Sequence, residues 1–174
     1  MPPPSDHPSL HLAVLPNDFF VVQLKYNEID GDVLINLTGQ SERFFSLTRT
    51  AEEVSVVGEI HKDLSQKYHE NSGWRCIRIA GPMEFSEPIV VSWVTMLTFA
   101  FQDLTGVLAS FTLPLQEAQV PVFAVSTWQV HFCYRPRTML TALTTRNTDY
   151  VLVPKDKLEV AVRALKKDGW TFIS

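Results

Sequence analysis

From its tenth residue the chain alternates short apolar runs with polar punctuation. "LHLAVL" (10–15) and "FFVVQLK" (19–25) read as two strands around "PND", a turn composition. "NEIDGD" (27–32) reads as a polar loop. Within 43–59, "FFSLT" and "EVSVV" are extended runs separated by "RTAE", the pattern of a hairpin. "HKDLSQKYHENSG" (61–73) is a charged connector with room for a short helical turn. "WRCIRIAG" (74–81) is a strand with Ile77 and Ile79 on one face, closed by Gly81-Pro82. Two segments change period. In "LTGVLASFTLPLQEAQ" (104–119), Leu108, Phe111, Leu115 and Ala118 recur at spacings of three and four, which predicts a helix. Thr105 can cap its start, Gly106 admits a close neighbour, and Pro114 should bend it. In "KDKLEVAVRALKKDGW" (155–170), Leu158, Ala161, Val162 and Leu165 form a stripe, Lys166 and Lys167 suit the negative end, and Gly169 stops the helix. "VPVFAVST" (120–127) and "DYVLVP" (149–154) are strands, and "WTFIS" is a final one.

From Trp74 onward the predicted order is strand, helix, strand, strand, helix, strand. This split βαβ order predicts an α+β fold: a four-stranded antiparallel sheet with helices on one face. The first half holds a weaker echo. "FFSLTRTAEEVSVV" aligns loosely with "FAVSTW…NTDYVLV", an apolar strand, a Ser/Thr-rich tip, an acidic residue and a Val-rich strand. Two related modules are therefore expected, at 10–60 and 74–174, joined by the connector 61–73.

Composition narrows the classes. The chain of 174 residues is 45% hydrophobic with a formal net charge of -4, enough for an ordinary core. An acidic balance argues against general binding of nucleic acid or anionic membranes. Cys76 and Cys133 make neither a disulfide framework nor a metal spacing. Residues 1–9 are rich in proline and read as a disordered lead-in rather than a signal peptide, so a cytoplasmic location is expected. In that setting Asn36 to Thr38, an "NLT" sequon, is not a useful signal of glycosylation. "PIVVSWVTMLTFAF" (88–101) is apolar but shorter than the roughly 20 residues of a membrane-spanning helix.

Three blocks carry a family likeness: "GWRCIRIAGPMEFS", "LTGVLASFTLPLQEAQVPVFAVSTW" and "NTDYVLVPKDKLEVAVRAL". They resemble the ACT domain, in the branch that includes the arginine sensors called CASTOR and the regulatory domains of aspartate kinase. The resemblance covers most of Trp74 to Trp170, and Leu10 to Glu59 resembles the shorter, partly degenerate module that precedes it in such proteins. It implies a ferredoxin-like βαββαβ fold. It also implies a non-catalytic, allosteric regulator that binds a free amino acid at a module interface, needs no cofactor or metal, and pairs as a homodimer or through ACT–ACT contacts.

The residues themselves allow such a site. "LTGV" opens a helix, so backbone N–H groups around Thr105, Gly106, Val107 and Leu108 can hold a carboxylate. Across the sheet, Ser126, Thr127 and Thr148 offer hydroxyls, and Asp149 an anion for an ammonium or guanidinium group. Arginine or lysine suits Asp149, although one acidic residue does not choose among ligands. The bland alternative makes Thr105 a helix cap, Ser126 and Thr127 strand-end residues, and Asp149 a turn residue.

Two segments interrupt the family pattern, at 87–103 and 129–146. Loops longer than about 12–15 residues are uncommon in compact domains. One explanation is a real insertion, with Arg135, Arg137 and Arg146 on a lid facing an anion. The other, which accounts better for the apolar first segment, is that both are short introns translated in frame. Val91-Ser92 matches a donor sequence, Leu97-Thr98 and either Leu140-Thr141 or Leu143-Thr144 match branch sites, and Gln129-Val130 is compatible with a splice boundary. On that reading "STW" and "NTDY" are halves of one ligand-binding element forced apart, and ligand binding is lost.

Other functions fit less well. An RNA-binding module would want aromatics on the strand faces, and Trp74 and Phe123 are available, but the charge is wrong. The five histidines, His7, His11, His61, His69 and His131, show no metal-ligand spacing, and no nucleophile elbow is present.

Overall fold

Leu12–Leu24 forms one strand, β1, where the sequence pattern predicts two. In the computed structural model, which describes residues 10–39, 43–79, 107–133 and 142–173, ten further strands and α-helices follow. They are α1 (Gly31–Thr38), β2 (Phe45–Arg49), β3 (Val54–Glu59), α2 (Gln66–Glu70) and β4 (Trp74–Ile79), then α3 (Val107–Glu117), β5 (Phe123–Cys133), β6 (Ala142–Pro154), α4 (Leu158–Lys167) and β7 (Phe172–Ile173). The lead-in at 1–9 and the first interruption, 87–103, lie outside the described residues.

"PND" is a bulge, not a turn. Val14 pairs with Ile77 and Asp18 with Arg75, so Leu15, Pro16 and Asn17 together face the single Cys76. Pro16 has no ladder N–H to lose. The Leu15 carbonyl, freed by the bulge, accepts a hydrogen bond from Arg75 Nη2 at 2.8 Å. Beyond the bulge β1 continues in antiparallel register with β3, from Phe19 opposite Glu59 to Leu24 opposite Val54.

The sheet order is β2-β3-β1-β4-β6-β5, and β7 runs parallel to the start of β1, with Leu12 opposite Phe172. The predicted succession β4-α3-β5-β6-α4-β7 is present. Its sheet differs from the expected four strands, because the first half of β1 lies between β4 and β7. Leu12 is fully buried there, and an apolar strand paired along both edges satisfies every backbone group it brings. The same strand therefore belongs to both halves of the sheet.

The four helices share one face. On it Leu12, Ile77, Ile79, Val151 and Val153 meet Val107, Phe111 and Leu115 of α3, and Ala161 and Leu165 of α4. Trp170 closes this C-terminal core, its ring edge-on to Phe111 at 5.4 Å. Phe20, Leu24, Val54 and Val56 meet Val33 of α1 and Tyr68 of α2 in an N-terminal core. Gly58 lies beneath the Phe20 ring, where a Cβ would come within 2.8 Å of it. The opposite face carries Phe19, Val57, Cys76 and Leu152, with Phe44, Trp74, Phe123 and Tyr150 around them. Phe44 abuts β2 and Tyr150 is on β6, four strands away, or about 19 Å in a flat sheet. Their ring centroids are 4.5 Å apart, so the sheet curls around this face.

Helix details depart from the pattern in two places. α1 begins inside the segment read as a polar loop, because Asp30 is its N-cap: Asp30 Oδ1 accepts from the Val33 N–H at 3.1 Å. In α3, Leu108 is 38% exposed rather than part of the buried stripe. The buried row runs through Val107, Phe111, Pro114 and Leu115, and Leu108 sits about 100° round the helix from Val107.

Candidate functional site

The β5–β6 hairpin brings four of the predicted residues into two cross-strand pairs. Ser126 stands opposite Asp149, and Thr127 opposite Thr148. Alternation puts the pairs on different faces. Asp149 shares the helix-bearing face with Val151 and Val153, while Thr148 shares the curled face with Tyr150 and Leu152. Thr127 Oγ1 donates to the Thr148 carbonyl at 3.2 Å, so that hydroxyl is spent on the hairpin. At the start of α3 the Val107 side chain is buried in the C-terminal core and can offer a ligand only its backbone. Leu108 points to solvent, and Thr105 and Gly106 lie outside the described residues.

The second interruption does not force this element apart. Beyond Trp128 opposite Asn147, the ladder continues from Gln129 opposite Arg146 to Cys133 opposite Ala142. The flanks of 129–146 are thus a longer hairpin that keeps the same register, and the tip lies outside the described residues.

A polar cluster that the sequence reading passed over ties α1 to α2. Asp30 Oδ1 accepts from the Tyr68 hydroxyl at 3.0 Å, and Asp30 Oδ2 meets Lys67 Nζ at 2.5 Å. Asp32 Oδ2 accepts from the Ser65 N–H at 2.8 Å, at the start of α2. Desolvation raises the Asp30 pKa, but hydrogen bonds from Lys67, the Val33 N–H and Tyr68 outweigh it, and the net shift is downward. Desolvation lowers Lys67, and its bonds to Asp30 and Tyr68 carry it above its ordinary value instead. Burial raises Tyr68. The available signal was "DGD" before "VLINL", which is a cap motif as much as a loop composition.

Two cavities lie away from the predicted residues. One, of about 220 Å³, is lined by Val21, Val22, Gln23, Leu24, Lys67, Tyr68 and Asn71. The other, of about 410 Å³, is an open depression along α4 at Leu158, Glu159, Val162 and Arg163. Among the described residues no cluster of His, Cys, Asp and Glu could hold a metal ion, and no helix is long and apolar enough to cross a membrane. Cys76 is buried, which pushes its thiol up to about 12 and leaves it unreactive at neutral pH. On the curled face Phe19 packs on Phe44 at 5.9 Å and Phe44 on Tyr150 at 4.5 Å, so these three rings are engaged with one another.

No protein-family model and no curated protein matches the chain. Solved structures do. The chain is similar to protein Atu0741 from Agrobacterium tumefaciens, with a TM-score of 0.54 and 21% identity, over 94% of this chain and 91% of that one. The two share a fold. Two more distant similarities are VC0802 from Vibrio cholerae, described as a possible transport protein (TM-score 0.47, 16% identity, 92% and 91% covered), and the ligand-free regulatory subunit of aspartate kinase from Thermus thermophilus (TM-score 0.46, 12% identity, 91% and 97% covered).

Proposed function

We propose that the chain is a non-catalytic regulatory protein of ACT type that binds a free amino acid at a module interface. The observation that carries this reading is the in-register pairing of Ser126 with Asp149, on the helix-bearing face of a βαββαβ arrangement. Asp149 supplies an anion for the ligand's ammonium or guanidinium group, and Ser126 a hydroxyl beside it. Backbone N–H groups of Val107 and Leu108 at the start of α3, with those of Thr105 and Gly106 that precede them in sequence, are the proposed contacts for the carboxylate. Arginine and lysine are the ligands that Asp149 suits best. Self-association through ACT–ACT contacts and a cytoplasmic location belong to the same reading.

Calorimetry of the full chain against the twenty amino acids tests it. At least one should bind, and Asp149→Asn should weaken a basic ligand about tenfold, the loss of one charge-assisted contact. A flat response to all twenty overturns the proposal. The reading of 87–103 and 129–146 as translated introns is a proposal about the gene, and spliced transcripts that keep both segments would sink it. Loss of binding does not follow from the second segment, since Ser126 stays opposite Asp149 with it in place.

A further inference from the structure

The C-terminal half of β1 has an unusual edge. Asp18 offers its carbonyl to the Ile60 N–H at 2.9 Å, so the main chain of Asp18, Phe20, Val22 and Leu24 points toward β3. Alternation turns Phe19, Val21 and Gln23 the other way. Phe19 is covered, because it pairs with Trp74 where β4 begins. The next outward-pointing N–H past Gln23, that of Lys25, is capped by Glu28 Oε2 at 2.9 Å. Between these two closures, the N–H and C=O of Val21 and of Gln23 have no partner among the described residues. The edge is thus open for one residue's worth of pairing and shut at both ends, which suits neither a second sheet nor a long peptide.

The 220 Å³ cavity lies on that edge. At about 30 Å³ per water it holds roughly seven waters, and it is smaller than the roughly 300 Å³ at which drug-sized pockets begin. We propose that it is a main-chain slot for one free α-amino acid, which pairs with β1 as a one-residue parallel strand. A residue in a parallel ladder gives its N–H to one neighbour's carbonyl and takes an N–H from the residue two further on. Here the ligand's ammonium donates to the Val21 carbonyl, and its carboxylate accepts from the Gln23 N–H. Its side chain falls beside Val22, Lys67, Tyr68 and Asn71. The Lys67 ammonium disfavours a basic side chain and leaves room for an aliphatic one. The slot is separate from the Ser126–Asp149 element, and its ligand class rests on the amino-acid-binding reading.

The test uses the full chain with L-leucine as probe, followed by amide NMR and calorimetry. Leucine should shift the Gln23 amide, and N-acetyl-leucine, which lacks the ammonium, should bind at least tenfold more weakly. The Gln23 N–H points out of the ladder, so proline is tolerated there without losing a bond to β3. Gln23→Pro should weaken leucine at least tenfold, while Gln23→Ala, which also loses the side-chain bond to Glu53 but keeps the N–H, should bind as the parent does. Leucine binding that leaves the Gln23 amide unmoved, or that survives Gln23→Pro, overturns the slot. If any amino acid then binds in a manner sensitive to Asp149→Asn, the proposed function stands without the slot. Silence from all twenty overturns both.

Discussion

The two cores on the helix-bearing face are built on different principles. In the C-terminal core, helices of eleven and ten residues meet the sheet through uncharged side chains, from Leu10 to Trp170. In the N-terminal core, helices of eight and five residues meet it with fewer apolar contacts and are tied to each other through Asp30 and Asp32. Isolated helices that short are not stable in water. Carboxylates that satisfy exposed N–H groups replace the packing that longer helices would provide. The N-terminal half should therefore respond to pH and to the loss of single hydrogen bonds, and the C-terminal half to cavities.

The sharpest way to break this contrast is a cavity in the C-terminal core. Phe111 is fully buried and holds Trp170, so Phe111→Ala should cost about 3–5 kcal/mol in urea unfolding. Because β1 lies in both halves of the sheet, the N-terminal half should unfold in the same transition. Two separate transitions would show that the shared strand does not couple the halves. On the other side, Tyr68→Phe keeps the ring against Phe20, at 4.8 Å between centroids, and removes the hydroxyl's bond to the Asp30 carboxylate together with its contact to Lys67. A cost of about 1.5–3 kcal/mol is expected for a bond to a charged group. Amide exchange should quicken in α1 and α2 more than in α3 and α4.

Sequence pattern carried the C-terminal half further than the N-terminal half for the same physical reason. Apolar periodicity located α3 and α4, and Ile77 and Ile79 proved to share a buried face. It did not locate α1, whose start is set by an aspartate cap and whose Leu34, Ile35 and Leu37 are exposed. Nor could it distinguish a bulge from a turn at Pro16, because both use the same residues and only the partner strand decides between them. That Ser126 and Thr127, and likewise Thr148 and Asp149, face opposite sides was legible from alternation once the two strands were recognised, but the pairing of Ser126 with Asp149 depends on a register that spacing does not fix. The slot at Val21 and Gln23 was illegible, because it consists of main-chain groups.

pH separates the cores without a mutation. Asp30 has a folded pKa below its unfolded value near 3.8, so the unfolded chain binds more protons in that range. Its contribution is present above that pH and is lost as pH falls through the folded value. His61, beside Asn36 of α1 at 3.2 Å, is lowered by burial and then by Arg43. Its contribution is present above pH 6.5 and is lost as pH falls below it. Lys67 is raised, so its contribution is full below 10.5 and is lost at higher pH. The buried side chains of the C-terminal core hold no group that titrates in these windows. Thermal melts between pH 3 and 7 should show an acid decline in the parent that Asp30→Asn flattens at its lower end. An unchanged curve in that variant would remove the carboxylate tether from the comparison.

The smallest effect concerns how the two long helices stop. α4 ends on Gly169 at φ 100°, with the Trp170 N–H returning to the Leu165 carbonyl at 3.0 Å. α3 ends the same way, the Val120 N–H reaching the Leu115 carbonyl at 2.9 Å, but the residue at the positive φ is Gln119, at 54°. A Cβ in the left-handed region costs about 1–2 kcal/mol, which glycine avoids while adding roughly 0.5–1 kcal/mol of unfolded-state freedom. The difference favours glycine, so Gln119→Gly should stabilise the chain by about 0.5 kcal/mol. Gln119 is exposed, so nothing else is lost. A small rise in the urea midpoint at unchanged slope would show that the C-terminal core is limited by its helix ends as well as by its packing. A fall would mean that Gln119 makes up the strain through contacts of its own, and that this half also relies on a polar side chain.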